Sequence, residues 1–255
     1  DKVALVTGGA SGIGRAVALA WAREGARVVV SDVDRDGGEG TAEAVRAAGS
    51  EALFAAADVG KPEDCEALVQ RAVQKFGRLD IACNNAGIGG AQAPTADYPL
   101  DAWAQVIAIN LSGVFYGMKY QLPAMLKNGG GAIVNMASIL GAVGFAGSPA
   151  YSAAKHGVLG LTQATALEYS AQGVRVNAVG PGFIHTPMIS ALEENRAVND
   201  MLVAAHPIGR LGRAEEVAEL VLWLSSSKAS FVTGAYYPVD GGYLPVEFSG
   251  VPALD

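Results

Sequence analysis

Three side chains in the middle of this chain have the types and spacing for proton transfer: Ser138, Tyr151 and Lys155. A Tyr and a Lys four residues apart lie side by side on one face of a helix. A phenol with an ordinary pKa of about 10 is a poor acid or base at neutral pH, and bringing it to about 7 takes roughly 4 kcal/mol of preferential stabilisation of the phenolate. A lysine ammonium one turn away supplies part of that. A serine hydroxyl at the mouth of the neighbouring strand adds a second donor to the same substrate oxygen. The competing reading is an ordinary helix with an exposed Tyr and Lys, since Y-x-x-x-K recurs by chance.

These residues need elements to hold them. The run Ala132–Ala137 is short, apolar and bounded by glycine, which predicts a buried strand ending at Ser138, and the Ala-rich segment from Tyr151 to about 171 predicts a long helix. Upstream, the strand run Val3-Ala4-Leu5-Val6 feeds Thr7-Gly8-Gly9-Ala10-Ser11-Gly12-Ile13-Gly14 and then a helical pattern through Arg15 to Glu24. A glycine-rich turn at a helix start presents bare N–H groups and the positive end of the helix dipole, where a pyrophosphate can sit. Its spacing, G-x-x-x-G-x-G, departs from the dinucleotide fingerprint G-x-G-x-x-G. A second strand, 26–31, ends in Asp32, eighteen residues after Gly14. That is close to where a βαβ unit places the acid that accepts from the adenosine ribose hydroxyls; the alternative is a cap for the next helix.

The alternation continues: a helix to about Ala48, a strand at 52–57 with Asp58-Val59 at its end, a helix at 62–76 opened by Pro62 and stopped by Gly77, and a strand at 79–83 running into Asn84-Asn85-Ala86-Gly87. Further on, the pattern predicts a helix over 100–127, a strand over 174–179 broken by Pro181-Gly182, an irregular stretch over 183–206, a helix over 214–225 and a last strand at 236–239. No linker or repeat appears, so one domain over 1–255 is the economical reading.

Composition narrows the function. Lys plus Arg is 18 against Asp plus Glu at 25, a net charge of −7 with no basic stripe, which argues against nucleic acid as a partner. No run has the ~20 uncharged apolar residues of a membrane span, and the first residues are already strand-like, so no membrane association and a soluble, cytoplasmic protein are expected. The two cysteines, Cys65 and Cys83, have no C-x-x-C partner and read as reduced core thiols. His156, His185 and His206 have no metal-ligand spacing, so no metal is expected and none is assigned catalysis, although His185 and His206 are placed to touch substrate.

Thr7-Gly8-x-x-x-Gly12-x-Gly14, Asn84-Asn85-Ala86-Gly87, Ser138, Tyr151-x-x-x-Lys155 and Pro181-Gly182 stand in the order and at the intervals of the short-chain dehydrogenase/reductase family, in its single-domain branch of roughly 250 residues, and the chain resembles that family from residue 3 to about Gly242. The resemblance implies an α/β fold, a Rossmann-type doubly wound parallel sheet of about seven strands with helices on both faces. It implies a catalytic tetrad of Asn110, Ser138, Tyr151 and Lys155, in which Lys155 lowers the Tyr151 pKa and Asn110 holds a water linking Lys155 to solvent. A satisfied helix-interior amide is the other reading of Asn110.

It also implies a nicotinamide dinucleotide as cofactor, and the Asp32 carboxylate, a like charge to the 2′-phosphate of NADP, makes NAD the expected one. Gly8, Ser11, Gly12, Ile13 and Gly14 would surround the pyrophosphate, Asp32 and Val33 the ribose, Asp58 and Val59 the adenine. Asn85, Ala86 and Gly87 would line the cofactor, and Tyr151 and Lys155 would meet the nicotinamide ribose. Pro181, Gly182, Ile184 and Thr186 would complete the site, Thr186 bonding the carboxamide unless it caps a helix, and 183–206 would be a flap. The expected activity is NAD(H)-dependent interconversion of a neutral, mainly apolar secondary alcohol and its ketone, because the segments 88–94 and 139–148 carry no arginine to clamp an anion. Alternatives are a 3-oxoacyl-thioester reductase and a non-catalytic dinucleotide sensor. A homotetramer is expected, with the tail from Tyr243 to Asp255 reaching a neighbouring subunit.

Overall fold

The computed structural model describes residues 2–244. Its strands read as short apolar runs because both of their faces are covered. In β1 (Val3–Thr7) the alternation sends Val3 and Leu5 to one side and Ala4 and Val6 to the other, all fully buried. Around it lie β2 (Arg27–Asp32), β3 (Ala52–Ala56), β4 (Ile81–Asn84), β5 (Gly131–Met136), β6 (Val174–Pro181) and a late strand at Tyr236–Val239. They form one parallel sheet in the order β3-β2-β1-β4-β5-β6 and then the late strand. The order turns outward on either side of β1 and β4, so the crevice at their carboxyl ends is where such sheets take ligands.

Helices α1 (Gly12–Arg23), α2 (Arg35–Ala47) and one at Ala214–Ser225 build the core on one face of the sheet. The other face is covered by α3 (Pro62–Phe76), α5 (Gly113–Lys127) and α6 (Pro149–Tyr169), with α4 (Leu100–Ile107) leading into α5. Local signals set their ends. Pro62 opens α3 and Gly77 closes it in the left-handed conformation, φ 80°. The Asp34 carboxylate caps α2 by accepting from Gly37 N–H at 3.2 Å. Among the described residues no helix is long and apolar enough to cross a membrane.

Two stretches differ from the sequence pattern. The helix expected over 100–127 is interrupted by a π-helical turn at Ala108–Ser112, which a continuous apolar periodicity cannot reveal. The stretch 183–206, expected to be irregular, carries β7 (Ile184–His185), α7 (Ser190–Glu194) and α8 (Arg196–Ala204). Asn195 caps α8 by accepting from Val198 N–H, a short polar cap that the surrounding charged residues mask in the sequence. β7 pairs in parallel with β8 (Gly212–Arg213), ahead of α9 (Ala214–Ser225) and β9 (Tyr236–Val239). Most of the tail expected to reach a neighbouring subunit, 245–255, lies outside the described residues.

Candidate active site

The turn after β1 is shaped by what its glycines leave out. A Cβ on Gly14 would stand 2.0 Å from the Gly8 carbonyl oxygen, and one on Gly8 would stand 2.9 Å from the Ala86 Cα, so main chain packs on main chain here. The Thr7 hydroxyl, part of the turn motif but given no role from the sequence, accepts from Asn85 N–H at 3.0 Å and Ala86 N–H at 3.1 Å. The Asn85 amide donates to the carbonyls of Thr7 and Gly8. These bonds tie the ends of β1 and β4 together and leave α1 without a side-chain cap at Ser11 and without an acidic residue in its first turn. Its first N–H groups and positive dipole end are thus open to an anion.

A groove of roughly 570 Å³ opens in front of that helix start. Gly8, Ser11, Gly12, Ile13, Asp32, Val33, Asp58 and Val59 line it on the nucleotide side, and Asn85, Ala86, Gly87 and Thr186 line it further along. Asp32 accepts from Ala10 N–H and Asp34 N–H, both at 3.0 Å, and leaves the capping of α2 to Asp34. The Asp58 carboxylate accepts from Gly60 N–H at 3.0 Å and faces the Lys61 ammonium at 3.7 Å. Thr186 caps no helix; its hydroxyl donates to Ile184 O, and its methyl comes within 3.0 Å of where a Gly12 Cβ would sit, closing the groove over the turn.

The other expected residues lie apart from the groove. Gly14 is buried in α1, and Pro181 and Ile184 are buried in the sheet region. Gly182 and Ile184 line a separate cavity of about 120 Å³ with His206, Arg210 and Asp240. His206, assigned nothing beyond a possible touch on substrate, is buried as a strut: its Nδ1 pairs with Leu202 O at 2.7 Å and its Nε2 accepts from Phe183 N–H at 3.3 Å. It joins the end of α8 to the turn after β6. His185 pairs instead with Glu193 within the same segment.

Deeper in, β5 and α6 bring Ser138, Tyr151 and Lys155 together. Pro149 starts α6 two residues before Tyr151, so the tyrosine stands in the first turn and Lys155 one turn below. Lys155 is buried, donates to Met136 O at 2.8 Å, and has its ammonium 5.4 Å from the Tyr151 ring centroid. Burial brings the Lys155 pKa down to about 8. Burial raises that of Tyr151, while a hydrogen bond with Ser138 draws it back. In the chain alone the balance at Tyr151 is upward, with loss of water around the phenol the largest cause.

Asn110 sits in the π turn, fully buried, with both ends of its amide bonded to the main chain of Ile88: Oδ1 accepts from N–H at 2.9 Å and Nδ2 donates to the carbonyl at 2.8 Å. Its side chain thereby clamps the strand exit after Gly87, and a Cβ on Gly87 would stand 3.3 Å from Asn110 Oδ1 and 3.7 Å from Lys155 Nζ. Cys65 and Cys83 are buried with their thiol pKa values pushed up to about 12, which leaves them inert at neutral pH. Among the described residues no group of three His, Cys, Asp or Glu side chains could hold a metal ion.

Comparison with known proteins matches this layout. A family model described as Enoyl-(Acyl carrier protein) reductase matches residues 8–244. Cyclohexanol dehydrogenase of Acinetobacter sp. (strain SE19) is 49% identical over 243 residues, covering 95% of each chain. Cis-4-hydroxycyclohexanecarboxylate dehydrogenase of Sinomonas cyclohexanicum is 48% identical over 246 residues, covering 96% of this chain and 98% of that one. The crystal structure of levodione reductase superposes with a TM-score of 0.91 at 40% identity, covering 94% and 96% of the two chains. That of NAD⁺-bound xylitol dehydrogenase superposes with a TM-score of 0.90 at 33% identity, covering 94% and 98%.

Proposed function

The chain belongs to the short-chain dehydrogenase/reductase family and is a secondary-alcohol dehydrogenase or ketone reductase that uses a nicotinamide dinucleotide; from that premise we propose that it acts on a ring-borne secondary alcohol, with NAD preferred over NADP. The observation that carries this reading is the meeting of Ser138, Tyr151 and Lys155 behind Gly87, a lining residue of the groove whose start is an uncapped helix terminus, with the Lys155 ammonium 3.7 Å from where a Gly87 Cβ would stand. The relatives at 48–49% identity are named for cyclohexane-ring alcohols. The wall beside the three residues is apolar, with Phe145 and Phe183 edge to face at 6.4 Å between centroids.

The groove fits the cofactor. The N–H groups of Gly12 and Ile13 would hold the pyrophosphate, and the spare lone pairs of Asp32 would take the ribose hydroxyls. The nicotinamide, when bound, supplies the site that exchanges hydride. The remaining chemistry falls to the chain. Ser138 donates to the substrate oxygen, and Tyr151 takes the hydroxyl proton in oxidation or returns it in reduction. Lys155 holds positive charge beside the phenol, which favours the phenolate as the second positive charge of the oxidised cofactor arrives. Asn110, through Ile88, fixes the wall between groove and substrate.

NAD preference follows from Asp32. The 2′-phosphate of NADP would meet this carboxylate as like charge, a repulsion of roughly 4 kcal/mol per unit charge at about 4 Å and an effective dielectric near 20. We also infer a single-domain subunit working in the cytoplasm as a homotetramer. Phe115 on α5 and Leu167 on α6 leave 47% and 87% of their surface exposed on the faces expected to pair. Light scattering at micromolar concentration should give about four times the 26.0 kDa subunit mass, and a monomer would refute this part.

The functional test is a rate panel pairing cyclohexanol with cis-4-hydroxycyclohexanecarboxylate, a 3-oxoacyl thioester and open-chain alcohols. Neutral ring alcohols should lead. A preference of more than about tenfold for the charged members, some 1.4 kcal/mol of transition-state binding, would overturn the substrate reading.

A further inference from the structure

The main-chain carbonyl of Ser138 is bonded twice. Gly141 N–H donates to it at 2.9 Å as the 3₁₀ turn Ile139–Gly141 closes. The phenol of Tyr236, on β9 and 98 residues away in sequence, donates to it at 3.0 Å. The Ser138 hydroxyl oxygen accepts from Leu140 N–H at 3.2 Å, so the hydroxyl proton is left to donate. Backbone and side chain of the serine are thus fixed by three donors, two from its own turn and one from the edge strand β9, two strands along from β5.

Tyr236 reaches this carbonyl because Gly180 makes room for it. β6 and β9 pair with Ala178 opposite Tyr236 and Gly180 opposite Pro238, which makes Gly180 and Tyr236 diagonal neighbours across the ladder. A Cβ on Gly180 would stand 2.1 Å from the Tyr236 phenol oxygen and 2.3 Å from its ring. Gly180 is not among the glycines with positive φ, so no turn demands it, and a glycine inside a strand weakens pairing unless something packs against its bare backbone. That something is the phenol. Burial, with a smaller contribution from the Asp240 charge, pushes the Tyr236 pKa up to about 12, so it remains a donor over the working pH range.

We propose that Tyr236 is a positioning residue for the reaction, seated on Gly180 and holding the Ser138 carbonyl so that the serine hydroxyl stays aimed at the substrate oxygen beside Tyr151. The inference rests on the reading of Ser138 as the donor to that oxygen. A donor held in place before reaction costs no reorganisation as charge develops, and a slack one does. The sequence gives no hint of it, since Tyr236-Tyr237 reads simply as strand.

Tyr236→Phe keeps the ring and deletes the hydroxyl. The loss of one neutral hydrogen bond to the serine should lower kcat about three- to tenfold while KM for NAD changes less than about twofold. The same substitution made in a Ser138→Ala background should have almost no effect on the residual rate, because the group being aimed is gone. Gly180→Ala, which drives the phenol off its seat, should reproduce the Tyr236→Phe loss, with thermal unfolding showing both variants folded. An unchanged kcat in Tyr236→Phe, or an equal loss with and without Ser138, shows that the phenol supports the fold and overturns the proposal. A wild type that turns over no secondary alcohol removes the proposed function and this inference together, whereas an active wild type with an unaltered Tyr236→Phe removes the inference alone.

Discussion

At the carboxyl end of β1 the working groups belong to the main chain: Gly8 and Gly12 line the groove with bare backbone, Gly14 packs against the Gly8 carbonyl, and Thr7 and Asn85 spend their polar atoms holding that backbone in shape. At the carboxyl end of β5 the working groups are side chains, and Lys155 among them is buried enough to shift its pKa. The groove is open because a dinucleotide must enter and leave it. The cluster is closed because proton transfer needs fixed donors and low dielectric. The two regions should therefore respond differently to substitution: the first through affinity, the second through rate and pH.

The largest expected effect lies in the groove. Gly14→Ala puts a methyl against the Gly8 carbonyl, where neither backbone can give way. Displacing the turn forfeits several charge-assisted bonds to the pyrophosphate at once, and calorimetric titration should show dinucleotide affinity falling about a thousandfold, some 4 kcal/mol. Loss of kcat at unchanged affinity would break the contrast.

In the cluster, Lys155 contributes a stability signature. Its pKa is about 8 in the folded chain against an ordinary 10.5. Between those values the unfolded chain binds more protons than the folded one, so stability rises with pH across that window, by up to about 3 kcal/mol from this group alone. Urea titrations at pH 7.5 and pH 10.5 should show the wild type gaining about 2 to 3 kcal/mol relative to Lys155→Met over that interval, while the stability lost at alkaline pH through the raised Cys65 and Cys83 thiols is common to both. The same pH dependence in the two proteins would assign the effect elsewhere.

Smaller again is cofactor choice. Asp32→Asn removes the like charge that faces a 2′-phosphate, and the ratio of kcat/KM for NAD to that for NADP should fall about ten- to a hundredfold. It should fall through KM, with kcat for NAD little changed, as befits a groove residue. Arg35 lies at the start of α2 just beyond Asp32 and is placed to meet the phosphate once the carboxylate is gone.

The contrast also explains what could be read from the sequence. Glycine spacing announces a backbone-built groove, and Pro62, Gly77 and the short apolar runs announce the sheet and its helices, because each depends on local conformation. Ser138, Tyr151 and Lys155 were legible through types and spacing. Their surroundings were not. The π turn around Asn110 hides inside an unbroken helical pattern. The His206 strut joins residues 23 apart, the Thr7 bonds to the β4 exit span 78 and 79, and the Tyr236 bond spans 98, so none leaves a local signal. The sign of the Tyr151 shift was missed for the same reason, since a spacing of four residues says nothing about how much water the phenol loses.

The measurement that bears most directly on proton transfer at Tyr151 is the steady-state oxidation of cyclohexanol by Tyr151→Phe, run beside calorimetric titration of the same variant with NAD. Deleting one phenolic oxygen from the cluster should reduce kcat more than about a hundredfold, the range general acid–base catalysis supplies, while the dissociation constant for NAD stays within about threefold of wild type. A variant that binds NAD normally and keeps more than about a hundredth of the wild-type rate would contradict the account.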